Sequence, residues 1–202
     1  MAHQTEYGDS LHRIAVGPAG WSYADWAGIV YPAHKPRDFH EATYLAQFFD
    51  TIEINTSFYQ PLRPALAEQW VDRVSANPRF LFTAKLWKKF THEAGATSED
   101  ERSLRAGFAP LAAAGKLAAL LLQFPYSFHR TEENVARLAG LIDRFSDHRL
   151  VVEIRHNSWN HADFFAMLRE RGVGFCNIDQ PLIGRSIKPS ERATAPVGYV
   201  RL

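Results

Sequence analysis

Seven short apolar runs punctuate the chain, at 14–16, 51–54, 80–85, 117–124, 150–155, 173–178 and 199–202. Each has the length of a strand. Between them, segments 38–49, 65–76, 98–113, 132–145 and 162–171 carry apolar residues at spacings of three and four, which predicts five helices. Ser98 with Glu101 has the spacing of a capping box, and Thr131 heads Glu132 and Glu133. Gly172 and Gly174 mark the end of the fifth helix. Buried apolar strands alternating with helices predict a parallel sheet.

A doubly wound sheet and a β/α barrel both fit that alternation. Gly17 to Gly20 does not match the glycine fingerprint of dinucleotide-binding folds. Polar residues follow nearly every strand, as in barrels that gather a site from many strand ends. The expectation is an α/β fold, a TIM-like β/α barrel, in one domain over residues 1–202. A complete barrel runs to about 250 residues. With seven strands in 202 residues, the barrel is expected to be truncated after the seventh strand, lacking the closing strand and helices. Its open edge would need cover, for which another copy in an oligomer is one candidate.

Two strands break the apolar pattern in the same way. Side chains alternate faces along a strand, so Glu53 and Asn55 share one face while Ile52 and Ile54 share the other. Glu153 and Arg155 likewise share a face. A carboxylate in an apolar strand is costly unless paired. Two strands aiming charge at one place predict a polar pocket.

Composition narrows the setting. The residues are 46% hydrophobic and 13% aromatic, enough for a substantial core. Lys and Arg total 23 against 22 Asp and Glu, a net charge of +1, so no global basic field draws in nucleic acid. Cys176 is the single cysteine, which excludes an internal disulfide and suggests a reduced cytoplasmic setting. The first ten residues lack the apolar core of a signal peptide. The most apolar stretch, 111–122, is broken by Gly115 and Lys116 and is too short to span a membrane.

Five motifs, in order along nearly the whole chain, resemble those of the YecE-like family, domain of unknown function 72. They are Gly20-Trp-Ser-Tyr-Ala-Asp-Trp-Ala-Gly28 continuing to Tyr31-Pro32, and Glu53-Ile-Asn-Thr-Ser-Phe-Tyr59. Next come Phe82-Thr-Ala-Lys85 with Thr91-His92, then Leu121-Leu-Gln-Phe-Pro125, then Glu153-Ile-Arg-His-Asn-Ser-Trp159. The resemblance implies a TIM-barrel-like fold and carries no catalytic assignment. Pro18-Ala19 replaces a small polar pair usual before Gly20. The sequence ends at Tyr199-Val-Arg-Leu202, where the family continues with His-Gly and a further strand and helix.

Candidate chemistry follows from the strand ends. Glu53 and Glu153 read as an acid/base pair with one pKa raised by burial, or as a pair able to cut a glycosidic bond, a hydrolase reading. The alternative is structural neutralisation, Glu153 by Arg155 and Glu53 by Lys85. Lys85 could bind an anion or act as an amine. Asp179 ends the sixth run as a pocket acid or a turn residue. These four are the catalytic candidates. Substrate-binding candidates are Trp21, Asn55, Tyr59, His92, Gln123, Arg155, Trp159 and Arg201. Trp26 and Tyr31 read as packing, and Lys88-Lys89 as a solvated run. None of the nine histidines forms a His-x-x-x-His pair, so no metal or cofactor is predicted. A site assembled from Glu53, Glu153, Asp179 and His92 is the alternative.

Three functions remain. The first is an enzyme using acid/base chemistry on a small polar, sugar-like or phosphorylated substrate. The second is a non-catalytic barrel holding a small-molecule or anionic ligand. The third is a nucleic-acid-processing protein using the aromatics beside Lys85, Lys88, Lys89, Arg155 and Arg201, against which the near-neutral charge counts.

Overall fold

The computed structural model describes residues 14–93 and 95–202. The first ten residues, read above as lacking a signal peptide's apolar core, lie outside the described residues. Six strands form one all-parallel sheet in sequence order: β1 (Thr51–Ile54), β2 (Leu81–Lys85), β3 (Leu117–Gln123), β4 (Leu150–Glu153), β5 (Gly174–Ile178) and β6 (Tyr199–Arg201). Helix α1 (Glu41–Leu45) precedes β1, and α2 (Pro64–Arg73) links β1 to β2. Helices α3 (Lys88–Thr91) and α4 (Ser98–Ala113) follow β2, α5 (Glu132–Arg144) follows β3, and α6 (Ala162–Glu170) follows β4.

The expected TIM-like barrel of seven strands is overturned. The first apolar run does not become a strand. Residues 16–20 lie along the edge of β1 through three backbone bonds, Asp50 N–H to Val16 O, Glu53 N–H to Pro18 O and Gly20 N–H to Glu53 O. The only bridge they form there joins Ala19 to Glu53. Pro18 has no N–H to donate, and Ile14 and Val16 are exposed, so apolar burial does not extend the pairing. Gly17 permits the approach, because a Cβ there would stand 1.7 Å from the Thr51 carbonyl oxygen. What results is a half-barrel. It is curled enough for Tyr199 of β6 to hydrogen-bond Thr83 of β2 and Glu53 of β1.

Helix ends explain the other differences. The capping box of α4 is set one residue earlier than expected: Thr97 caps Asp100 N–H, and the Asp100 carboxylate returns to Thr97 N–H. Thr131 caps α5 through Asn134 N–H. The segment 38–49 yields only a short helix, capped by the His40 ring on Ala42 N–H. Gly172 closes α6 at φ 64°, a left-handed conformation that suits glycine.

Register sorts the sheet into two faces. Ile52 and Ile54, Phe82 and Ala84, Leu120 and Leu122, Val152 and Phe175 are buried on the outer face. Helices cover it, with Trp70 of α2 beside Phe82 and Phe164 and Phe165 of α6 against Phe175. The other parity faces inward. Glu53 pairs with Thr83 and Thr83 with Ala119; Lys85 pairs with Leu121 and Leu121 with Val151; Gln123 pairs with Glu153. Cys176 pairs with Tyr199, and Ile178 with Arg201. The concave face is therefore apolar towards the strand starts and charged towards their carboxyl ends.

Candidate functional site

The concave face brings the two expected glutamates together through one arginine. Arg201 donates from Nη1 to Glu153 Oε2 at 2.7 Å and from Nη2 to Glu53 Oε1 at 3.3 Å. Glu153 has no exposed surface, and Glu53 is 5% exposed. Buried carboxylates require partners, and both have several. Glu53 Oε2 accepts from the Tyr199 hydroxyl at 2.7 Å, and Oε1 lies 3.5 Å from Lys85 Nζ. Glu153 Oε1 accepts from Gln123 Nε2 at 2.7 Å and from Arg155 Nε at 3.0 Å, with Arg155 Nη2 at 2.8 Å.

At Glu153 the electrostatics run against the expectation that burial raises an acid. Burial pushes the Glu153 carboxyl up, but Arg201, the Gln123 hydrogen bond and Arg155 outweigh it and hold Glu153 below the ordinary carboxylate range. Lys85 moves the other way. Burial lowers its pKa, Arg201 lowers it further, and the charges of Glu53 and Glu153 do not restore it. For Arg201, burial works against the charged form and the two carboxylates overcome it, leaving its pKa raised. Tyr199 and Cys176 are both pushed up, chiefly by burial and next by a nearby glutamate, so both stay protonated at neutral pH.

The remaining expected residues divide. Gln123, Arg155 and Arg201 join the cluster. Asn55 directly follows β1, with its Oδ1 buried and, among the described residues, without a hydrogen-bond partner. His92 stands near the same rim, its ring edge-on to Phe58 and its Nδ1 2.9 Å from the Thr91 hydroxyl. The Lys85 amine lies over the other partner of that pair, 5.8 Å from the Phe58 ring centre. Tyr59 is 65% exposed and packs on Phe58. Asp179 is exposed just beyond β5, its backbone N–H spent on the Arg201 carbonyl.

Two tryptophans are placed in packing instead. Trp159 is fully buried, stacked on Phe128, with its indole N–H bonded to the Phe128 carbonyl at 2.7 Å. Trp21 meets Trp70 edge-on at 4.9 Å and Phe82 at 6.2 Å, on the helix-covered side of the sheet. Both follow strand ends in sequence, but their large apolar area is better buried than aimed at a charged cluster. Trp26 and Tyr31 also pack, as expected.

Tyr199, Thr83 and Ser57 were missed. Tyr199 precedes Arg201 by two residues and Thr83 precedes Lys85 by two, so the strand period alone places them on the charged face. Ser57 gave no such signal. Its single hydroxyl proton is shared between the carbonyls of Lys85, at 2.7 Å, and Ile54, at 3.0 Å, and ties the ends of β1 and β2 together.

Residues 15–202 match the family described as "Protein of unknown function DUF72". The chain belongs to the DUF72 family. This DUF72 chain is similar to the "UPF0759 protein YunF" of Bacillus subtilis (strain 168), at 28% identity over 189 residues. The match takes in 88% of this chain and 64% of the relative, so the chain spans less than two thirds of that relative's length. Among solved structures, it is similar to a DUF72 family protein of Thermotoga maritima MSB8, with a TM-score of 0.75 and 27% identity. That match covers 93% of this chain and 73% of the other. It shares its fold with a DUF72 family protein of Enterococcus faecalis V583, with a TM-score of 0.72 and 24% identity over 79% of this chain and 67% of the other. Among the described residues, no helix is long and apolar enough to cross a membrane.

Proposed function

We propose that this chain acts by proton transfer on a small polar substrate carrying negative charge, bound at the carboxyl ends of the strands. The observation that carries the reading is Lys85. Its amine is largely buried, burial lowers its pKa, and it stands 3.5 Å from Glu53. A lysine whose pKa is lowered holds its proton less tightly than an ordinary one, which suits it to exchange a proton with carbon or oxygen. Glu53 favours the charged product and so stabilises the amine once it is protonated.

Glu153 takes a different part. A carboxylate held below its ordinary range is a poor proton donor at neutral pH. It serves as a positioning residue, holding Arg155 and Arg201 on its two oxygens. With Lys85 ready to accept a proton, Arg155 and Arg201 balance the two carboxylates; once Lys85 is protonated the cluster holds three cations against two, a balance that favours negative charge on the bound molecule.

The reading is tested by titrating isotope-labelled lysine amines by NMR in the wild type and in Lys85→Met. One lysine, absent from the variant, should titrate below the ordinary 10.5. In Glu53→Gln the same amine should titrate lower still, because Glu53 favours its charged form. A panel of plain and phosphorylated sugars then seeks turnover that Lys85→Met abolishes. A Lys85 amine titrating at or above its ordinary value refutes the assignment.

A further inference from the structure

Beside the buried cluster, a cleft of about 350 Å³ opens between the ends of β5 and β6, lined by Arg155, Ile178, Asp179, Gln180, Pro181, Arg201 and Leu202. We infer that this cleft is the subsite for an oxyanion headgroup, phosphate or carboxylate, of the substrate. The inference rests on the strand ends being a substrate site. It adds direction: the charged end of the substrate lies over β4–β6, and its reacting atom over Lys85 and Glu53 on β1 and β2.

Two features of the cleft support the assignment. The first is that both guanidiniums are anchored from one side. Glu153 occupies Nε and Nη2 of Arg155, and Nη1 takes no part in that pair. Arg201 spends Nη1 on Glu153 and Nη2 on Glu53, and Nε takes no part in either. A buried carboxylate thus fixes two planar donors at the wall of a cleft, where the Arg155 side chain is still 38% exposed. Pre-fixed guanidiniums lose little freedom when they donate to phosphate or carboxylate oxygens.

The second is Gln180. Its Nε2 is buried and, among the described residues, has no hydrogen-bond partner. An amide N–H₂ can only donate, so the group that would satisfy it is an acceptor. Two guanidiniums and an orphaned donor lining one cleft call for an acceptor-rich ligand. Asp179 opposes this charge from the exposed rim of the same cleft, leaving two cations against one acid among the lining side chains. That opposition gives the inference a signed test.

Isothermal titration calorimetry on the intact chain measures binding of inorganic phosphate in one arm and acetate in the other. Tighter phosphate binding identifies a phosphate headgroup, and tighter acetate binding a carboxylate. Arg155→Met removes a charge-assisted donor and should weaken the preferred anion about tenfold or more. Gln180→Glu replaces the donor with a like charge and should weaken it by a similar factor. Asp179→Asn relieves an exposed repulsion and should tighten it roughly two- to fivefold. Asp179 is exposed, so its variant tests the idea even if Arg155→Met folds poorly. Failure of the wild type to bind either anion, or binding indifferent to all three changes, overturns the subsite. A Lys85 amine with a lowered pKa in the same protein would then leave the proton-transfer reading standing. The reverse pair of results would keep the subsite and remove that reading.

Discussion

Replacing Glu153 by Gln tests whether the concave cluster is one electrostatic unit. The amide is nearly isosteric, so packing is preserved while the charge goes. Three side chains lose a charged acceptor: Gln123, Arg155 and Arg201. Arg155 is more than a third exposed, and water takes over much of its share, leaving at most about 1 kcal/mol there. Arg201 is only 22% exposed and keeps Glu53, at the longer 3.3 Å, as its one charged partner. Removing one partner of a buried pair costs about 3–5 kcal/mol. The expected loss at neutral pH is about 3 kcal/mol, a large part of the roughly 5–15 kcal/mol that holds a domain together. Urea unfolding followed by tryptophan fluorescence measures it. Because the folded pKa of Glu153 is depressed, its contribution is complete above the unfolded value near 4.5 and is lost as pH falls through the folded value. The gap between wild type and variant should therefore narrow in acid. A loss under about 1 kcal/mol at neutral pH, or a gap that acid leaves unchanged, refutes the coupling.

Other expectations concern positions away from the charges. Trp159→Phe should lose about 1–3 kcal/mol, since it strands the Phe128 carbonyl and leaves a small void beside Phe128; an unchanged urea midpoint would contradict this. Gly17→Ala drives a methyl into the Thr51 carbonyl and should free residues 16–20 from β1, read as new proteolytic cleavage there at a cost of about 1–3 kcal/mol. Cys176, buried and with its thiol pushed up, should resist aromatic disulfide reagents until the chain unfolds; labelling of the native protein would show the strand face to be open.

The strand positions were legible because burial on both faces leaves an unmistakable apolar run, as at Leu120 to Leu122 and Leu150 to Val152. The charged face was legible for the same reason inverted: Glu53 and Glu153 interrupt runs where only a paired carboxylate is tolerated. Two of the partners were legible as well, Arg155 for Glu153 and Lys85 for Glu53, whereas Arg201 was not. Arg201 meets both acids only because the sheet curls, and curvature is a property of all six strands together. The run at 14–16 misled because strand propensity does not say whether a neighbour exists on the second side. Trp159 misled because sequence adjacency to a polar strand end does not fix which way a large ring turns, and the indole found a carbonyl in the core.

The bond between Glu53 and Arg201 joins groups 148 positions apart. On a ribosome the acid emerges long before its guanidinium exists, so a nascent β1 docked early against β2 would hold its charge without Arg201 or Tyr199. That penalty disfavours premature closure and makes the arrival of β6 the step that completes this cluster. Pairing at such sequence distance is slow to nucleate, which leaves a long interval in translation when the growing polypeptide is open to chaperones.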